Sequence, residues 1–434
     1  MVPGDAGYDD ARRVFNAMID RRPALIARCA VAEDVAVGVR FAREQGLPLS
    51  VRGGGHSVAG TAVCEGGLML DLSGMKGIRV DPVRSVAQAE PGLTLGELDR
   101  ATQEFGLATP TGVVSVTGHA GLTLGGGIGW LNGKHGLACD NLLAADVITA
   151  DGNLLTVSER EHADLFWAIR GGSGNFGIVT SFTYRLHRVG PVLAGGIVYP
   201  FARAREVLHF YHDFARDCPD ELSTVASLWT GADGQPGVSM GVCYSGDLQA
   251  GERAVRPLRA FGPPVEQGIQ PMEFCALQSG NDGGYPEGRQ HYWKSAWLTE
   301  LGDGAIEVML QFMASKPSAA TGISLQQLHG EAARVDPAAT AFAHRGYRYD
   351  FMILSQWDDP ADSAANIDWT RAFFAAMAPF LERGVYVNDL GVESEDRVRD
   401  AYGVNYERLA AIKAKYDPDN LFRINHNIRP GERR

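Results

Sequence analysis

The sequence predicts an α+β protein in which short strands and helices alternate around glycine loops, followed by a second α+β domain with a large antiparallel sheet. Three observations carry this. Short apolar segments alternate with capped amphipathic stretches as far as residue 192. Glycine reaches 53 residues, against a background of roughly 7%, and much of it lies between 52 and 177, set between strand and helix signals. After Pro191 the texture shifts to longer apolar segments separated by helical stretches. The expected division is residues 1–192, 193–389 and a C-terminal segment 390–434.

Taken in order, ALIARC (24–29) reads as a strand, and Asp34 is expected to cap a helix, VAVGVRFAREQG, that Gly46 ends. PLSVR (48–52) is a second strand, which makes a βαβ unit running straight into Gly53-Gly54-Gly55-His56. Ligands of α/β folds tend to sit at such C-terminal strand ends. LMLDLS (68–73) and SVAQAEPG (85–92) are further strands, and Thr94 with Glu97 forms a capping box for a helix to Phe105. Residues 111–136, TGVVSVTGHAGLTLGGGIGWLNGKHG, read as one long glycine-rich loop. AADVITADGNLLTVS is a hairpin turning at Asp151-Gly152. HADLFWAIRGGSGNFGIVTSFTYRL reads as helix, glycine loop and strand. In the second domain EVMLQFM (307–313) and YRYDFMILSQW (347–357) are apolar sheet segments, with helices near 203–216 and 362–382. A last helix, marked by Tyr406, Leu409, Ile412 and Lys413, stops at Asp417-Pro418. An apolar–polar alternation then runs into Asn427.

A net charge of −12 argues against nucleic acid or an anionic membrane as partner, because both reward clustered Lys and Arg. No apolar stretch approaches a membrane span, and the first residues lack a signal-peptide core. The six cysteines show no close pair, so structural zinc is not expected. Reduced thiols and a cytoplasmic location are. His209 and His212 share a helical face without a third ligand, and Asp358-Asp359-Pro360 reads as a turn. The P-loop pattern fails around Gly133-Lys134, where position 128 is Ile and position 135 is His. A Rossmann fingerprint fails at RGGGHSVAG, which no helix pattern follows.

Singly, each glycine loop could be no more than a tight turn. Together, successive N–H groups at 52–60 and 117–129 could grip the two sides of a pyrophosphate, and the missing Cβ atoms would admit a flat ring system. A dinucleotide carrying an isoalloxazine ring is the natural occupant.

VRGGGHSVAG, GHAGLTLGGGIGWLNGKHGLACDNLLAADVITADG, FWAIRGGSGNFGIVTSF and YDPDNLFRINHNI, in this order, resemble the FAD-linked oxidases of the berberine bridge enzyme and 6-hydroxy-D-nicotine oxidase type, in the vanillyl-alcohol oxidase/p-cresol methylhydroxylase superfamily. The resemblance implies a PCMH-type, two-subdomain FAD-binding domain and a berberine-bridge-type C-terminal segment that packs back on it. It also implies a histidyl bond from His56 to the flavin 8α-methyl carbon. Relatives with a second, cysteinyl bond carry it where this chain has Val114, so a single bond is expected; Cys139 is expected to be a packed thiol. Around His56 the resemblance assigns cofactor contacts to Arg52, Gly53, Gly54, Gly55 and Ser57. In the second loop it assigns Thr117, Gly118, Gly121, Leu122, Gly125, Gly126, Gly127 and Gly129. Asn175, Gly177 and Val179 follow, with Asn425 and Asn427 near the C-terminus.

Such enzymes pass a hydride to the flavin while a base takes a proton. Candidates for the substrate side are Tyr386, Asn388 and Asp389, then Tyr402, and Tyr292 with Lys294 on one strand face. Asp389 stands where many relatives have an aromatic residue. The expected reaction is oxidation of an alcohol or amine on a small or mid-sized molecule, with O2 as acceptor and H2O2 as product. A dehydrogenase using another acceptor, or a flavin-binding protein without turnover, remains open, and the oligomeric state is not legible.

Overall fold

The computed structural model describes residues 1–231, 233–392 and 395–431. The βαβ start folds as a three-stranded parallel sheet in which Leu68–Asp71 lies between Leu25–Arg28 and Leu49–Arg52. The crossover helix Ala32–Glu44 begins earlier than expected. Val31 is its N-cap, and Asp34, three residues in, accepts from the Ala30 and Val31 amides at 2.9 and 3.2 Å. The acid thus satisfies amides preceding the helix rather than occupying the cap itself.

A five-stranded antiparallel sheet follows, in the order Ile78–Asp81, Val86–Ala89, Ile178–Arg185, Leu142–Ile148 and Leu154–Ser158. The Thr94–Glu97 capping box is formed: Thr94 N–H donates to Glu97 at 2.8 Å, and Glu97 N–H returns to Thr94 Oγ1 at 3.3 Å. The helix it starts, Leu95–Gln103, is tied to the second glycine loop by Leu95 N–H on the Thr117 carbonyl (2.8 Å) and Gly96 N–H on Ser115 (2.9 Å). That loop is not continuous coil, because His119–Gly125 and Asn132–His135 are helical within it.

Residues from 192 onward supply an antiparallel sheet of eight strands. Its path runs Glu266–Gln267, Val192–Pro200, Pro236–Tyr244, Leu222–Thr230, Gly322–Gln327, Tyr349–Trp357 and Gln290–Leu298, with Gln270–Met272 also on Val192–Pro200. One face is buried under the helices Ala204–Arg216, Asp303–Ala314 and Ser363–Met377, where Tyr349, Phe351 and Ile353 pack on Ile306, Met309 and Phe373. Strand side chains alternate between faces, so Asp350 and Met352 are turned to the opposite side.

EVMLQFM is the clearest reversal. It lies inside the helix Asp303–Ala314, burying Ala305, Ile306, Met309 and Met313 at helical rather than alternating spacing. Met, Leu, Gln and Glu are good helix formers, and the stretch has a single β-branched residue. The alternation expected between residues 419 and 427 likewise forms no strand.

The C-terminal helix Tyr406–Tyr416 packs back on the first lobe, where Leu409 and Ile412 join Phe166, Trp167 and Phe182 in one core. Lys413 and Asp417, both fully buried, form an ion pair at 2.7 Å. Lys413 also donates to the Asn175 and Phe422 carbonyls, while Asp417 accepts from the Leu421 and Phe422 amides. This closure fixes the direction of the chain from Phe422 to His426. Among the described residues no helix is long and apolar enough to cross a membrane.

Candidate active site

The two glycine loops meet. A Cβ on Gly54 would stand 2.5 Å from the backbone of Gly118, and one on Gly118 would stand 2.5 Å from Gly54 N. Only glycine permits this approach. The joined loops form one wall of a cavity of about 320 Å³, and the far wall comes from the large sheet and from residues 386–389 and 422–426. At Gly121 and Gly174, both on the wall, an added Cβ would meet no protein atom within 4 Å.

His56 stands at this wall with its ring stacked on Phe15 at 3.9 Å, and Phe15 stacks in turn on His291 at 4.2 Å. Its Nε2 is buried without a hydrogen-bond partner, and burial lowers the imidazole pKa to about 4. The ring is therefore neutral at physiological pH and keeps a lone pair. The N-terminal segment holds this arrangement: Phe15 N–H donates to the Gly55 carbonyl (3.0 Å), and Asn16 Nδ2 reaches Val58 and His291 carbonyls at 2.7 and 2.9 Å. Phe15 and Asn16 had no signal in the sequence, because their contacts, with Gly55, His56 and Val58 about 40 positions on and with His291, form only in the folded chain.

Of the expected cofactor contacts, Gly53, Gly54, Gly55 and Ser57 border the cavity beside His56. So do Thr117, Gly118, Gly121 and Leu122 on the second loop, and Gly177, Val179 and Asn425 beyond it. The others do not. Arg52 turns away to the Ala11 carbonyl at 2.6 Å. Gly125 leaves room for the Asn388 amide, Gly126 for Phe342, Gly127 for Ala138, and Gly129 for the carbonyls of Thr111 and Gly112. These four glycines shape the loop against protein. Asn175 is a buried tie: its Nδ2 donates to Gly172, Tyr402 and His426 oxygens, and its Oδ1 accepts from Ile428 N–H. Asn427 lines a neighbouring cavity with Asn425. Val114 lies on the wall, whereas Cys139 is fully buried elsewhere; among the described lining residues there is no cysteine.

On the substrate side Tyr386, Asn388 and Asp389 converge on the cavity. Gly127 N–H and Asn388 Nδ2 donate to the Tyr386 hydroxyl oxygen at 2.8 and 2.6 Å, and Asn388 also reaches the Leu122 carbonyl at 3.0 Å. Burial, reinforced by the nearby Asp389, pushes the phenol pKa up, so Tyr386 stays protonated and has its own proton to give. Tyr402 is off the cavity, donating to the His426 carbonyl at 3.1 Å. Tyr292 and Lys294 do share a face, but it is the helix-covered one. Lys294 Nζ lies 5.7 Å from the Tyr292 ring and 5.8 Å from that of Phe374, and Arg371 Nε donates to Tyr292 at 3.2 Å. The intervening Trp293 faces the cavity. His209 and His212 are engaged by Asp303, Glu300 and Tyr349.

Reading from sequence missed Asp350, a lone acid in an apolar strand. It lines the cavity with Asp389, and burial together with Asp350 raises the pKa of Asp389 well above the usual carboxylate range. Tyr285 and Trp293 add aromatic rings to the same wall, 6.1 Å apart and edge to face.

Comparison with known proteins agrees with this geometry. Residues 23–158 match the FAD binding domain family, and residues 385–429 match the family described as berberine and berberine like. An FAD-linked oxidoreductase of Dictyostelium discoideum is 34% identical over 96% of this chain and 91% of its own length. The (R)-6-hydroxynicotine oxidase of Paenarthrobacter nicotinovorans is 33% identical, over 99% and 96%. The crystal structure of 6-hydroxy-D-nicotine oxidase from Arthrobacter nicotinovorans superposes with a TM-score of 0.92 at 31% identity, covering 99% of this chain and 97% of that one. Fold and cavity thus define an FAD-dependent oxidoreductase. More narrowly, the chain belongs to the berberine-bridge-enzyme-like family of FAD-linked oxidases, with a PCMH-type FAD-binding domain.

Proposed function

We propose that this protein oxidises an alcohol or amine on a small or mid-sized organic molecule, with FAD bonded to His56 and to no cysteine, and O2 as acceptor. The observation that carries the reading is His56, a neutral imidazole stacked on Phe15 at the cavity wall, beside a Gly54–Gly118 contact where neither loop can carry a side chain. Similarity to (R)-6-hydroxynicotine oxidase and, at 29% identity, to a xylooligosaccharide oxidase of Thermothelomyces thermophilus supports an oxidase. In this reading residues 1–192 and the chain from 390 hold the cofactor, while 193–389 supply the substrate face.

Bound FAD supplies the two-electron oxidation, taking a hydride and passing the electrons on to O2 as H2O2. The residues that would hold it are His56, the Gly53–Gly55 turn, Thr117, Gly118, Ala120, Gly121, Leu122 and Asn425. A neutral imidazole is a competent nucleophile, and the glycine turn fixes its approach. Val114 offers no thiol at the other attachment position. Tyr386, held by Gly127 and Asn388, points a hydrogen-bond donor at the substrate and orients it.

The test is anaerobic mixing of the purified protein with a panel of alcohols, sugars and cyclic amines. The expected result is a yellow protein whose flavin absorbance is bleached by one class, returning on admission of O2 with formation of H2O2. A colourless protein would remove the flavoenzyme reading. Recovery only with a non-oxygen acceptor would make it a dehydrogenase.

A further inference from the structure

We propose that the substrate cavity selects an organic cation, a protonated amine whose charge sits against the Asp350–Asp389 carboxyl pair and whose apolar body packs on Trp293 and Tyr285. The inference rests on the oxidase reading for what becomes of the ligand, but its binding does not depend on that reading.

The two acids come from different elements. Asp350 lies on the strand Tyr349–Trp357 and Asp389 on the turn Val387–Asp389. They are 1% and 8% exposed, and both line the cavity. Two carboxyl groups buried in one cavity wall resist ionising together: burial raises both, and the neighbouring Asp350 raises Asp389 the further, so the pair carries one proton and one negative charge at neutral pH. Asp350 Oδ1 and Asp389 Oδ2 are buried, and no protein N–H or hydroxyl donates to either.

Nothing on the wall neutralises that charge. Among the described lining residues there is no Lys or Arg. The bases that do line it, His56 and His426, are held neutral by burial, both near pKa 4. The phenols of Tyr285 and Tyr386 are pushed up by burial and by Asp389, so neither adds charge of either sign. A desolvated anion without a counter-charge is costly, and a cationic ligand offsets that cost where a neutral alcohol does not. Rings add a second attraction, since the faces of Trp and Tyr favour alkylammonium groups. On reaching the pair, the ammonium N–H gives its proton to the ionised carboxylate, forming a neutral carboxyl and a neutral amine. That amine has the lone pair that loss of a hydride from its α-carbon requires.

The experiment compares three probes of one shape on the flavin-loaded protein at neutral pH: N-methylbenzylammonium, benzyl methyl ether and phenylacetate. Binding is read from Trp fluorescence and from the flavin absorbance. The ammonium is expected to bind at least about tenfold more tightly than the ether, with phenylacetate weakest. Removing one acid leaves the other free to ionise, so the decisive variant is D350N/D389N. It should bring the ammonium to within about threefold of the ether while the ether's Kd stays in place. A second measurement needs no variant. The affinity of wild-type protein for benzyltrimethylammonium, which has no titratable proton, should fall as pH drops through about 6, because protonating the pair removes its charge. Ether or phenylacetate binding as tightly as the ammonium would overturn the proposal, as would a double variant that keeps the preference or a pH-independent quaternary ammonium. Absence of binding by all three probes would overturn it too. A colourless preparation would instead defeat the oxidase reading.

Discussion

Gly118 and Gly54 are in backbone contact, and neither tolerates a side chain. Gly118→Ala would place a methyl 2.5 Å from Gly54 N and 2.7 Å from its Cα, so the backbone itself must move. Over-packing of this kind costs about 1–3 kcal/mol, and here it displaces the turn that presents His56. We predict folded protein by far-UV circular dichroism, with flavin-to-protein absorbance at least about tenfold below wild type. At this scale the sequence was unevenly legible. Gly54 and Gly118 could be read because only glycine lacks the Cβ that so close an approach excludes. Gly125 to Gly129 fell in the same cluster but serve protein contacts, with Asn388 and Phe342, that no local pattern reveals. Asp350 could not be read: its meaning comes from Asp389, 39 positions away and on another element.

Among the elements, the helix Leu95–Gln103 supports the site most directly, since its first turn hydrogen-bonds the loop at Ser115 and Thr117. Thr94→Ala removes the capping hydroxyl that accepts from Glu97 N–H, and should cost about 1 kcal/mol, measured as a shift in the urea midpoint. The backbone bonds remain, so flavin content should stay unchanged. A capping box is local chemistry, which is why Thr94 and Glu97 were readable. Strand parity was readable too, but which parity faces the helices was not. Tyr292 and Lys294 share a face as expected, yet Lys294 pairs with Ile353 on the covered side, and Trp293 takes the cavity. EVMLQFM failed for a related reason: an amphipathic run of seven residues fits either period, and the helix is decided by packing on Phe373 and Phe351.

Over the whole molecule, three distant segments converge on one cavity: the N-terminal stretch at Phe15, the glycine loops, and the C-terminal closure. The closure depends on the buried Lys413–Asp417 pair, whose members also serve four backbone groups. Asp417→Ala strands the Lys413 ammonium and the amides of Leu421 and Phe422, and should cost about 3–5 kcal/mol. A lowered melting temperature and earlier proteolysis after residue 417 would register it, with unchanged proteolysis counting against this role. The DPDNLF motif was legible as a motif; its partner Lys413 and the tie through Asn175 appear only once the chain is closed on itself. The glycine turn and Phe15 hold His56 at that cavity, so the most direct measurement is acid precipitation or denaturing electrophoresis of wild-type protein and His56→Ala, scored for flavin fluorescence on the polypeptide. Fluorescence that stays with the wild-type chain and is absent from His56→Ala is the predicted result. Flavin released from the wild-type chain by acid, or retained by His56→Ala, would contradict it.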